Sequence, residues 1–525
     1  MKKRASVAPL GDSVACYVEL VDRGPEPHKS KLQGALLPST RPPPSSSSSS
    51  LWTPENVAIP ITYIYTGLLS SLPTAYIEYF PRQLGASDAQ LSTISVLRSL
   101  PWTFKVLFGV FPDRFPIQQL RFKPYLLLGC LISSCFHLWL SAASNSLSIV
   151  SFTLLLLGSM VGIVMADVMS DALVANRVLR KQELYPGHVQ SVVYLCRFVS
   201  EMCGYWGGAL ISNRSHWGFG VSMSQLFALI AVFPLLTVLP CIWIMHEPSI
   251  TNVPPVKVQL EQLWLMLQRR ATWQPVCFLV FCNAFLVHNA AWGNYLKVAF
   301  HFDAFQYGAM SAIGASVTFF AILIYKHCIL GHFDNPWHYV YLITGVVISL
   351  FSVLNVLLVW HVNDTWGVPA FWFAAGDVAV ISFAKGFQYL PLALMFVSVC
   401  PEQQEGVAFA LLTSITNVSH AFAHTISNLL LALWPAELSD LEQDHFDGVW
   451  KLTMLTAAIS LVPLLFVRRL LPRGALELER MKDELSPRWA AFVVGIYTFG
   501  VVWVAVLSLI AIVQPCHVLV GGHGC

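Results

Sequence analysis

Residues 147–176 read LSIVSFTLLLLGSMVGIVMADVMSDALVAN. No charge occurs from Leu147 to Ala166, and as a helix rising 1.5 Å per residue this stretch of about twenty residues matches the roughly 30 Å hydrocarbon core of a bilayer. Asp167 and Asp171 follow in the same run. Four residues apart, they share one helical face. A charge near the bilayer centre costs about 2.5–3.5 kcal/mol on insertion scales. Both carboxylates therefore have to face a protein interior, and other spans have to surround this one.

Composition supplies those spans. Of 525 residues, 55% are hydrophobic and 11% charged, against about 25% charged in soluble proteins, and the mean hydropathy is +0.61. These values exclude an ordinary soluble globular protein. Lys and Arg number 31 and Asp and Glu 29, so net charge offers no attraction to nucleic acid. Residues 1–54 carry RPPPSSSSSS at 41–50 and read as a disordered tail. Six apolar segments follow, near 56–80, 90–111, 124–143, 147–176, 190–212 and 219–245, completing a first half at 55–245. A polar linker at 246–274 separates them from six more, near 275–299, 304–330, 338–361, 369–400, 405–434 and 450–471, within a second half at 275–471. After a basic connector at 472–488, a thirteenth apolar run at about 489–513 begins the closing stretch, 489–525. It reads as a dispensable appendage to a six-plus-six core. The fold class expected is an all-α polytopic membrane protein.

Basic residues fix the expected orientation. With the N-terminus in the cytosol, cytosolic loops hold Arg114, Arg121, Lys123, Arg177, Arg180, Lys181, Lys257, Arg269, Arg270 and Lys326, besides the connector, whereas the other side holds Arg82, Arg214, Lys297 and Lys451. The positive-inside rule then places the N-terminus in the cytosol. The sequons at Asn213 and Asn363 fall in loops on the other side, while that at Asn417 lies within a helix.

About nine charged residues are candidates for positions within the membrane: Glu78, Arg98, Lys105, Asp167, Asp171, Arg197, Glu201, Asp377 and Lys385. They must pair or line a wet cavity. Arg197 and Glu201 share a face in the fifth segment, and Asp171 and Arg197 fall at similar depths, so a bridge between the fourth and fifth segments is expected. Arg98, Trp102 and Lys105 form a cationic and aromatic stripe. Arg98 could be neutralised by Asp167 or Glu201, and Lys385 by Asp377; otherwise two midplane cations suit an anionic substrate. Thr413, Asn417, His420, His424 and Asn428 form a polar stripe, and His288 sits among Asn283, Asn289 and Asn294. His420 and His424 lack the third ligand of a metal site. The 12 cysteines, such as Cys130 and Cys282, fall mostly inside apolar runs and show no paired motif. No GxxxxGK[ST] loop or nucleophile motif occurs, so neither an enzyme nor an ATP-driven pump is indicated, and no metal or cofactor is called for.

The string RSLPWTFKVLFGVFPDRFPI at 98–117, with Leu100, Pro101, Trp102, Lys105, Gly109, Asp113 and Pro116, resembles the folate-biopterin transporter family of the major facilitator superfamily. So do ADVMSDALVAN at 166–176 and CPEQQEGVAFALLTSITNVSH at 400–420. The sequence departs from that pattern at Pro112 and Asn176. The resemblance spans about residues 56–471. It implies a major facilitator fold of two six-helix halves and alternating-access transport of folate, pterin or a related solute, often taken to be proton-linked. S-adenosylmethionine is the alternative cargo within the family, and a non-transporting membrane receptor is the alternative from another class. Gly109, Asp113 and Arg114 would form a cytosolic loop latch, with the Gly permitting close helix approach. Arg98, Lys105, Asp167, Asp171, Arg197, Glu201, Asp377 and Lys385 are the candidates for substrate binding or proton coupling. The protein is expected to act as a monomer in a lipid bilayer, the plasma membrane before an internal one.

Overall fold

The computed structural model describes residues 52–181, 188–212, 218, 220–247, 249, 256–329, 337–399, 405–514 and 516–520. Most of the tail expected at 1–54, and Asn213, lie outside these residues. Among them the structure is helical, with two isolated bridges and no strand.

The first half comprises α1 (Ala58–Ser71 and Thr74–Gln83), α2 (Asp88–Thr103 and Lys105–Arg114), α3 (Lys123–Ala142), α4 (Ile149–Lys181), α5 (His188–Ile211) and α6 (Met223–Ile244). The second comprises α7 (Arg270–Ala284 and Trp292–Phe300), α8 (Ala304–Ile324), α9 (Trp337–Val359), α10 (Ala370–Val399), α11 (Glu405–Leu431) and α12 (Asp447–Leu461, prolonged to Leu470). Helix α13 (Pro487–Val513) follows. Among the described residues, nine helices are long and apolar enough to cross a membrane. Helices α1 and α7 are each broken, α1 at Leu72 and Pro73, α7 from Phe285 to Ala291.

Local chemistry sets the helix ends. Ser87, Ser222 and Asp303 each form a capping box, opening α2, α6 and α8; such caps satisfy N–H groups that a helix start leaves without partners. At the basic-loop face, the Glu247 carboxylate accepts the N–H groups of Arg121, Phe122 and Lys123 at 2.8–2.9 Å, which pins the end of α6 to the start of α3. The linker ends earlier than expected, because α7 starts at Arg270. That residue is held to the connector by its N–H on the Glu484 carbonyl at 2.7 Å and by its guanidinium on the Glu484 carboxylate at 2.8 Å. Asn363 is buried, its amide donating to the Asp364 carboxylate and the Val368 carbonyl.

The halves are laced together at the face opposite the basic loops. Lys297 donates to the Arg82 carbonyl at 2.5 Å, Asn294 to the Ala86 carbonyl at 3.4 Å, and Asn428 to the Ala89 carbonyl at 3.3 Å. Arg82 lies 4.5 Å from the ring centroid of Tyr307. The thirteenth segment packs against both halves. Tyr497 of α13 donates to the Thr103 carbonyl of α2 at 2.5 Å, and Gly500 meets Val418 of α11. A uniformly apolar helix finds a place wherever matching apolar surface exists, and here that surface straddles the seam.

Within the first half, α3 and α4 meet backbone to backbone. A Cβ on Gly162 would lie 2.5 Å from both the Gly129 carbonyl oxygen and the Ser133 nitrogen, so neither helix can yield without moving its backbone. Gly162→Val is expected to destabilise the fold by about 1–3 kcal/mol, read as a lower melting temperature of the purified protein in detergent. Gly495→Ala, where a Cβ meets nothing within 4 Å, should leave melting unchanged or raise it.

Candidate functional site

Helix α4 carries Asp167 and Asp171 one turn apart on its inner face, and the α2 and α5 cations converge on them. Asp167 is fully buried; Lys105 Nζ lies 2.7 Å from its Oδ2 and Arg197 Nη1 2.7 Å from its Oδ1. Lys105 Nζ also lies 3.3 Å from Asp171 Oδ2, and Arg197 Nε 3.0 Å from Glu201 Oε1. Tyr63 of α1 donates its hydroxyl to Asp171 Oδ1. The expected Asp171–Arg197 bridge is therefore replaced by a different partition: Arg197 takes Asp167 and Asp171 takes Lys105. The reason lies in rotation about the helix axes. Glu201, one turn along, draws the Arg197 guanidinium along its own helix toward the level of Asp167, and Lys105 fills the space beside Asp171.

The indole of Trp102 is flanked by both cations, with Lys105 Nζ 4.8 Å and Arg197 Cζ 5.0 Å from its ring centroid. It stands where α2 breaks. Pro101 lacks an N–H, and the break at Phe104 leaves carbonyls without helical partners; Asn417 of α11 donates to the Trp102 carbonyl at 3.2 Å and Tyr497 to that of Thr103. A cavity of about 240 Å³ lies here between the halves. Trp102, Lys105, Asp171, Tyr194, Arg197, Phe198 and Glu201 of the first half line it against Tyr389, Leu392, Phe396, Thr413 and Asn417 of the second. Phe198 and Tyr389 meet edge to face across it, with centroids 5.7 Å apart.

One level nearer the sealed face, Arg98 donates to the Ser70 carbonyl beside the break in α1. Its acidic neighbour is Glu78, which corrects the expected neutralisation by Asp167 or Glu201, since both are already taken by Arg197. In the second half, Asp377 Oδ2 accepts from Asn355 at 2.9 Å. Lys385 is exposed and, among the described residues, in no ion pair; its ammonium lies within electrostatic reach of Asp377, His288, His420 and His424. On α10, Lys385 stands one turn before Tyr389, so the same stripe carries it toward the cavity.

Sequence reading missed two contributors. One is Tyr63, an aromatic residue in an apolar run with nothing local to mark its hydroxyl. The other is the unwound stretch of α7, where Ser427 accepts the His288 N–H at 3.3 Å and Asn289 reaches the Val449 carbonyl and Thr453 hydroxyl at 2.9 Å. His288 packs against His424 with ring centroids 4.3 Å apart. The Asn residues around it were the available signal. The expected latch is less tight than the resemblance implied: a Cβ on Gly109 would make ordinary contacts of 3.8 and 3.9 Å with Val168 and Val407. The side chains of Asp113 and Arg114 lie outside the described set.

Two helical halves, a broken first helix in each and a charged cavity at their seam define a carrier of the major facilitator fold. Solved structures share it: the nucleoside transporter NupG, with a TM-score of 0.56 at 13% identity, covering 80% of this chain and 100% of that one, and a D-xylose–proton symporter, with a TM-score of 0.55 at 12% identity, covering 80% and 98%. Among curated proteins, the chain is similar to a folate-biopterin transporter of Synechocystis sp., 25% identical over 80% of this chain and 82% of the relative. It is also similar to Folate transporter 1 of Plasmodium falciparum, 21% identical over 72% of each. The sequence model of the BT1 family matches residues 67–489, and the chain belongs to that family. It is a multi-pass membrane protein.

Asp167 has no water to fall back on, so Asp167→Asn would leave two cations short of a partner. Breaking such a buried pair is expected to cost about 3–5 kcal/mol. Glu201→Gln, at a side chain 24% exposed, should cost no more than about 1 kcal/mol. Thermal unfolding of both purified variants in detergent checks the ordering.

Proposed function

We propose that this chain carries folate, or a related pterin, by alternating access between its two halves, with proton coupling. The observation that carries the reading is the seam cavity, where one indole face and two cations meet aromatic residues of the other half. A flat pteridine ring can stack there, and the similar proteins named as folate or folate-biopterin transporters support the same cargo. Placing the basic loops and the N-terminus in the cytosol, by the positive-inside rule, makes the laced face external. We assign it to the plasma membrane, acting as a monomer.

Charge counting supports proton linkage. Around the cavity Lys105 and Arg197 face three carboxylates, Asp167, Asp171 and Glu201, leaving one negative charge in excess, while Glu78 lies between Arg82 and Arg98. A dianionic tail enters more readily once one carboxyl carries a proton. Asp171 is the candidate, since Lys105 divides its charge between Asp171 and Asp167. In the second half Lys385 has one acidic neighbour, Asp377, itself engaged by Asn355, so Lys385 is the cation left for a substrate carboxylate. The same excess negative charge favours a second reading, a cationic metabolite such as S-adenosylmethionine.

Uptake of radiolabelled folate, biopterin and S-adenosylmethionine by cells expressing the chain separates the readings. Folate uptake should exceed that of the others and rise at acidic external pH; uptake of S-adenosylmethionine alone would overturn the proposal. Lys385→Gln should lower folate uptake at least about tenfold, about 1.4 kcal/mol, while leaving neutral pterin uptake nearly unchanged. Asp171→Asn should abolish pH-driven accumulation but spare exchange of preloaded folate for external folate. Equal losses in both assays would remove Asp171 from the coupling role.

A further inference from the structure

A second cavity, of about 440 Å³, lies away from the seam site, between α13, α11 and α7, within the roughly 300–1,000 Å³ typical of ligand pockets. Its walls are almost wholly apolar: Val280, Phe281, Ile415, Phe422, Phe492 and Ile496 are representative. Trp489 and Phe499 line it and are also exposed at its rim. A water-filled groove of this composition inside a bilayer would be unfavourable, because its walls offer water few hydrogen-bond partners.

One end of the groove is different. Leu470 and Trp489 line it there, and their chain neighbours Arg469 and Arg488 are exposed. Trp489 stacks on Trp273 with centroids 4.8 Å apart and planes 6° from parallel, an aromatic pair of the kind that marks headgroup depth. Of the nearby acids, Glu484 pairs with Arg270, Glu479 with Lys482, and Glu477 accepts the Arg473 N–H, while Asp483 makes no ion pair among the described residues. Among the described residues, Arg468, Arg469 and Arg488 have no acidic partner.

We propose that this groove binds an anionic phospholipid, one acyl chain filling the space between α13, α11 and α7 and the headgroup phosphate resting against Arg469 and Arg488. The site is independent of the transported solute. Its occupant would complete the packing of α13 against the second half, where the helix itself leaves the groove open.

The test uses the purified full-length chain, offered equal amounts of dioleoyl phosphatidylglycerol and dioleoyl phosphatidylcholine and examined by native mass spectrometry. The wild type should retain phosphatidylglycerol over phosphatidylcholine by roughly tenfold, the scale that one or two interfacial arginines supply. The double variant Arg469→Gln, Arg488→Gln should lose that preference while still retaining lipid, and Ile496→Trp, which fills the groove, should lower retention of both lipids. Equal retention of the two lipids by the wild type overturns the proposal without recourse to any variant. So does an unchanged preference in a double variant whose circular dichroism matches the wild type.

Discussion

Asp167 is the constraint on which the rest depends. A carboxylate with no solvent exposure cannot remain ionised in a low-dielectric interior without compensation, and here two cations from two different helices supply it. Lys105 and Arg197 are consequently fixed relative to α4, and through them α2 and α5 are fixed as well. Trp102 packs against both cations, so the aromatic wall of the cavity inherits its position from the same carboxylate. The charged wall of the cavity thus gains its rigidity from electrostatics inside one half, while Asn417 and Tyr497, outside that half, hold the backbone at the break beside Trp102.

The second half is organised differently. Its polar groups are mostly neutral, and they serve the backbone: Ser427 and Asn289 accept the N–H groups of His288 and Ala291 where α7 unwinds, and Asn417 takes a carbonyl of α2. Breaks at equivalent positions, α1 in one half and α7 in the other, put non-helical backbone beside the central space, where polar side chains can satisfy it. The first half therefore contributes a preset charge pattern, and the second a set of hydrogen bonds that can be exchanged.

The all-helical class, the buried acids and the cations that meet them were legible in the sequence, because a charge in an apolar run has so few tolerable destinations. Their pairing was not. Depth along a helix can be read from residue spacing, but whether Arg197 meets Asp167 or Asp171 depends on rotation and tilt, which spacing leaves open. The unwinding of α7 was hidden because no Pro or Gly occurs between Phe285 and Ala291; the cause is tertiary, a set of partners on α11 and α12 that makes an open backbone tolerable. The seat of α13 was hidden for the opposite reason, since a helix without charge from Trp489 to Ile512 has no polar face to orient it.

The broken end of α2 gives the molecule something like a clutch. The carbonyls of Trp102 and Thr103 are held by Asn417 and Tyr497, and both donors lie outside the half to which the carbonyls belong. Rocking the halves apart at this point means releasing both bonds, at about 0.5–1.5 kcal/mol each. Together that is a bias of roughly 5- to 150-fold toward the engaged arrangement. The dwell time of the carrier in that arrangement is then set partly by a tyrosine on α13, a helix with no described residue in the wall of the seam cavity.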